Sequence, residues 1–177
     1  TDDMLSKQLW DKVRYYPSLD KVQVYEATYL DNRFHIILTP GLWAFHMLEA
    51  WTRGSVWTGA GKVLGDWEDL EPRKEYAHNI TGAYYSARLG VLEHMDLIRR
   101  SGSCLIWRDI GPGYWAPVGV WLIRETVRQA MTGAAKEFDT LEQAIQYVTP
   151  RVSAPDDLQN SWFVRRGRQM RLDAFAI

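Results

Sequence analysis

Val22-Gln23-Val24-Tyr25-Glu26-Ala27-Thr28-Tyr29 is followed by Leu30-Asp31-Asn32-Arg33 and then by Phe34-His35-Ile36-Ile37-Leu38. The first run alternates in the manner of a strand, and Asp31 and Asn32 are turn residues. The apolar run Phe34–Leu38 reads as the returning strand, so the stretch predicts a β-hairpin. Pro40-Gly41 marks a second turn. After it, Trp43, Phe45, Met47, Glu49 and Trp51 occupy alternate positions, which predicts a third strand. Trp43, Met47 and Trp51 are also four apart, as on a helix; the strand is the preferred reading.

Moving outward, Asp2 or Asp3 can cap an opening helix whose Leu5, Leu9 and Val13 share a face, with Pro17 closing it. Residues 52–79 are rich in Gly, Trp and charge and read as loops with short elements. A helix is expected from about Thr81 to Arg100, ended by Ser101-Gly102, then a short buried strand from Cys104 to Ile110. Gly111-Pro112-Gly113 is a turn, and Pro117 suits the first turn of a helix running to Met131. Thr140 can cap a helix carrying Leu141, Ala144, Ile145 and Val148, ended by Pro150. Residues 155–163 fit a short helix or an extended arm. Beyond Val164 the composition turns basic, so the expectation is a domain over 1–164 and a flexible basic tail over 165–177. The fold class expected is α+β: an antiparallel sheet built from the early strands and joined by the 104–110 strand, with helices packed on it. Strand order does not follow from the pattern.

The chain has 177 residues, 46% of them hydrophobic, enough for one domain with a buried core. Nine Trp and nine Tyr call for broad aromatic packing, and a net charge of -1 argues against a uniformly basic nucleic-acid coat. A single cysteine, Cys104, excludes an internal disulfide and a multi-cysteine zinc site, and its apolar neighbours predict an inert core thiol. No apolar run is long enough to span a membrane and no signal peptide is evident, so a cytoplasmic protein is the expectation. The chain opens at Thr1 without Met, as a fragment or a processed product would.

Two arginines break the amphipathic pattern: Arg88 lies in the apolar arc of the 81–100 helix, and Arg124 lies at the edge of the arc on the 117–131 helix. A buried guanidinium needs a partner. Three solutions present themselves: an internal ion pair with Asp109, Glu49 or Glu125, a stem packed in the core with its head in water, or a cleft where Arg88 and Arg124 hold an anion such as a phosphate. Between the helices, Arg108 and the glycine-rich turn lead to Tyr114 and Trp115. Glycines allow close backbone approach and aromatics offer stacking faces, which suits a nucleotide or an unliganded strand–turn–helix equally. The loop lacks the Gly-Lys-Ser/Thr ending of a P-loop. His35, His46, His78 and His94 have no metal-like spacing. His46, Glu49 and Arg53 could share a site only if residues 43–51 were helical. Ser86, Ser101 and Ser103 lack a Gly-x-Ser-x-Gly setting, so no catalytic set can be named.

The chain closes on Gln169-Met170-Arg171-Leu172-Asp173-Ala174-Phe175-Ala176-Ile177. Leu172 and Phe175 are one tight helical turn apart, and Gln169 lies three residues earlier. Such a peptide can dock in a partner's groove or fold back on its own domain. The stretch resembles the PIP box that binds the sliding clamp PCNA. Gln169, Leu172 and Phe175 match its pattern, and Ala176 stands where a second aromatic is common. The preceding Arg165, Arg166, Arg168 and Arg171 suit a solvated linker or unspecific phosphate contacts.

Three longer runs extend the resemblance over nearly the whole chain: Asp31 to Gly41, Thr81 to Glu93, and Gly113 to Trp121. With the closing motif they resemble the C-terminal region of the archaeal Nre DNA-repair proteins. The resemblance implies a repair role, recruitment to PCNA through the closing motif, and contact with DNA and with the N-terminal region of a longer protein. It also implies that the family's cysteine-rich zinc-binding element lies in that N-terminal region, and no cofactor is expected here. The alternative reading is a nucleotide- or nucleic-acid-processing enzyme domain with Arg88, Arg108, Tyr114, Trp115 and Arg124 around its pocket.

Overall fold

Residues 1–52, 61–114 and 119–174 are described in the computed structural model, without the side chains of Leu172 and Ala174. In chain order the elements are α1 (Asp2–Val13), β1 (Val22–Tyr29), β2 (Asn32–Thr39), β3 (Ala44–Trp51), β4 (Val63–Asp69), α2 (Thr81–Ile98) and β5 (Ser103–Ile110). Then come α3 (Trp121–Thr132), β6 (Lys136–Phe138), α4 (Leu141–Val148), α5 (Pro155–Gln159) and α6 (Trp162–Ala174). The strands form one sheet in the order β4-β3-β5-β2-β1-β6. All pairings are antiparallel except β3 with β5, which run parallel and are joined through β4 and α2. The architecture is the expected α+β class.

Helices cover both faces. Phe34, Ile36, Phe45 and Met47 point to one side and pack with α1, α2 and α3. Val22, Ile37, Leu48 and Trp107 point to the other and pack with α4, α5 and α6. Helices on both faces explain why β2, β3 and β5 are buried almost throughout, unlike the alternation of a half-exposed strand.

The hairpin forms as expected, with its turn one residue earlier. Leu30 (φ 46°) and Asp31 (φ 57°) take the positive φ that a tight two-residue hairpin turn requires. Asn32 opens β2 and donates from Nδ2 to the carbonyls of Tyr29 and Leu30. Thr1, not an aspartate, caps α1 by accepting from the amide of Met4 at 3.4 Å. At α4 the cap is reciprocal: Thr140 accepts from the amide of Gln143, whose side chain accepts from the amide of Thr140.

Two strands depart from the sequence reading. β4 lies inside the stretch expected to be mainly loop, because Asp66 and Glu68 make it look polar; both carboxylates are buried, at 5% and 2% exposure. β6 has only three residues and pairs with β1 at the sheet edge. Residues 155–163 resolve into α5 and the start of α6. No break falls after Val164: α6 runs helically from Trp162 to Ala174. Pro117 lies outside the described residues, and α3 is described from Trp121.

Candidate functional site

Arg88 is completely buried at the centre of α2. Its Nη1 donates to Glu68 Oε2 at 2.7 Å, Nε and Nη2 donate to Ser6 Oγ, and Nη2 also pairs with Asp3. Glu68 is further satisfied by the indole of Trp43 at 2.9 Å and the amide of Arg73 at 3.1 Å. Arg124 pairs with Asp2 at 2.8 Å and lies 3.6 Å from Glu125. The structure therefore brings Arg88 and Arg124 to neighbouring carboxylates in the first turn of α1. Of the partners named from sequence, only Glu125 is used. Asp2, Asp3 and Glu68 were missed because nothing local relates them to the arginines.

Arg108 is the mirror case at the far end of β5. It is 4% exposed, pairs with Glu49 at 2.6 Å, and donates from Nε and Nη2 to Asn32 Oδ1. Tyr114 stands 5.5 Å from its guanidinium, so Arg108 and Tyr114 meet as the sequence reading grouped them. Trp115 and Arg53 lie outside the described residues. The close approach offered by the glycine turn is taken by the protein itself. The Asp31 carboxylate accepts from the amide of Gly113 at 2.7 Å, and a Cβ on Gly111 would meet it at 2.2 Å.

His46 and Glu49 occupy opposite faces of β3, as the strand reading requires. His46 is buried against α6, edge-on to Trp162 at 5.9 Å, and burial lowers its pKa to about 3. His35 lies 3.1 Å from Glu26 and His94 contacts Tyr25; burial lowers both histidines as well. Cys104 is fully buried, and burial raises its thiol pKa well above the usual range, so it is an inert core thiol. Among the described residues, no group of three or more His, Cys, Asp or Glu side chains is placed to hold a metal ion. No helix of the described residues is long and apolar enough to cross a membrane.

The basic run is the second half of α6. Phe163 and Val164 are buried, and Gly167 packs against Leu141. Arg166 reaches Asp69 at 2.7 Å, and Arg168 reaches Glu142 at 3.3 Å. From Arg168 to Asp173 every described side chain is exposed. Gln169 donates to Asp173 at 2.9 Å along the helix. Between α6, the start of α4 and the β2–β3 turn runs a groove of about 410 Å³, floored by Val22, Leu141 and Phe163. Phe175 and Ala176 lie outside the described residues, as does the side chain of Leu172.

These features define a two-faced α+β domain whose buried arginines are internal ties and whose last helix is packed at its start and, in its described side chains, exposed from Arg168 to Asp173. The family model described as "Archaeal Nre, C-terminal" matches residues 68–175, and "Archaeal Nre, N-terminal" matches residues 1–58. The chain belongs to the archaeal Nre family. The match is wider than the C-terminal resemblance, since β1, β2 and β3 fall in the N-terminal portion. Among curated relatives, DNA repair protein NreB of Archaeoglobus fulgidus is 37% identical over 98% of this chain and 45% of its own length. DNA repair protein NreA of Haloferax volcanii is 40% identical over 84% of this chain and 36% of its own length. NreA of Archaeoglobus fulgidus is 33% identical over 93% and 41%. The chain thus spans less than half the length of the relatives it matches. No solved structure matches.

Proposed function

We propose that the chain is part of a DNA repair protein and is recruited to the PCNA sliding clamp through Gln169, Leu172 and Phe175, with Ala176 at the second aromatic position. Family membership and the relatives' names support the repair role. The observation that carries the recruitment reading is the exposure of α6 from Arg168 to Asp173, which keeps Gln169 clear of the domain. A motif that begins on the exposed part of a helix reaches a partner's groove without unfolding the core. The rest of the longer protein is the second partner in this reading.

Calorimetric titration into PCNA of this chain, of a version truncated before Gln169, and of Phe175→Ala tests the reading. Wild type should bind, truncation should abolish binding, and Phe175→Ala should remove most of it, because a buried aromatic anchor dominates such interfaces. Wild-type affinity in the Phe175→Ala protein would sink the motif.

A further inference from the structure

Trp67 lies on β4, the edge strand, and remains 46% exposed. Its inner face stacks on Trp162 of α6, with ring centroids 4.2 Å apart and planes 13° from parallel. Trp162 in turn packs on the buried His46. The outer tryptophan is thus held flat by an aromatic layer anchored in the core, while its outer face meets solvent. Arg166 stands 5.8 Å from the Trp162 ring and neutralises the adjacent Asp69. The buried Asp66 next to Trp67 is likewise neutralised, by Arg73 at 3.1 Å. Arg165 is exposed, and its side chain has no ion pair or hydrogen bond among the described residues. Trp162, Arg165 and Arg166 follow i, i+3, i+4 spacing, so they share one face of α6.

We propose that this face binds single-stranded nucleic acid, with a base stacked on the outer side of Trp67 and backbone phosphates along Arg165. A preordered aromatic plane stacked on a helix that carries an unpaired guanidinium three residues further on is complementary to an unpaired base and its phosphate. The contact begins seven residues before Gln169, about 10 Å along the helix. It is separate from the clamp motif and does not depend on it.

The test is fluorescence anisotropy of a labelled oligothymidylate titrated with this chain, beside a duplex of the same length. The single strand should bind in a saturable, salt-sensitive manner and more tightly than the duplex, whose bases are already stacked. Trp67→Ala should weaken binding about ten-fold. Arg165→Ala, at an exposed position that the core does not use, should weaken it and lower the salt dependence by about one phosphate contact. Truncation before Gln169 should leave the affinity unchanged. The proposal fails if the oligothymidylate does not bind, if duplex and single strand bind equally, or if truncation abolishes binding. It fails also if Arg165→Ala and a Trp67→Ala protein with native circular dichroism both bind like wild type.

Discussion

His46 shows what a single buried residue does to the pH response. Its imidazole is enclosed between β3, β4 and α6, where burial opposes the proton, Asp66 favours it and Arg165 opposes it. The folded-state pKa is about 3, against about 6.5 unfolded. Below pH 6.5 the unfolded chain therefore binds a proton that the folded chain refuses. The stability tied to His46 is complete above pH 6.5 and is lost as pH falls toward 3, by at most about 1.4 kcal/mol per pH unit. His35 and His94 are displaced in the same direction and add to the slope. We expect His46→Gln to flatten the stability difference between pH 7 and pH 5, read by urea denaturation at each pH. An unchanged slope would mean that His46 takes up its proton while folded. At this scale the sequence exposed the anomalies but not their resolution. Arg88 and Arg124 stand out because a cation in an apolar arc violates local pattern. Their partners Asp3, Glu68 and Asp2 are set by tertiary packing, which no local pattern encodes.

Elements were legible where their signals are local. The β1–β2 hairpin follows from a turn between apolar runs, and α4 follows from Thr140 and Gln143, which satisfy each other's amides. Removing that cap should be felt: Thr140→Ala should cost about 1 kcal/mol in a denaturant titration, while Thr140→Ser, which keeps the accepting oxygen, should cost less. Equal losses in both variants would shift the cause from the hydroxyl to the threonine methyl. β4 was illegible for the opposite reason. Its Asp66 and Glu68 face the core and serve distant groups, the amides of Asn79 and Ile80 and the guanidiniums of Arg73 and Arg88. A strand whose inward positions are carboxylates reads as loop. α6 crosses the change of composition at Val164 without ending: Arg166 and Arg168 tie its basic sequence to Asp69 and Glu142.

At the scale of the molecule, the two family segments are not two domains. β1, β2 and β3 come from the segment matching the N-terminal model, and β4, β5 and β6 come from the rest. In the order β4-β3-β5-β2-β1-β6, no strand of the second set pairs with another of the same set. β5 lies between β3 and β2, and β4 and β6 close the two edges on first-set strands. Polar ties cross the same divide: Arg88 to Asp3, Arg108 to Glu49 and Asn32, and Arg124 to Asp2. Separated from the second set, the first retains one hairpin and an unpaired β3, and an isolated hairpin is marginal in water. Separated from the first, the second has three strands with no ladder; Arg108 loses Glu49 and Asn32, and Arg88 keeps Glu68 but loses Asp3. We therefore expect fragments 1–60 and 61–177 to lack cooperative unfolding when prepared singly, and to regain native circular dichroism and a cooperative transition when mixed. A cooperative transition in either fragment by itself would show that one segment folds without the other, and the sheet would then be an assembly of two domains.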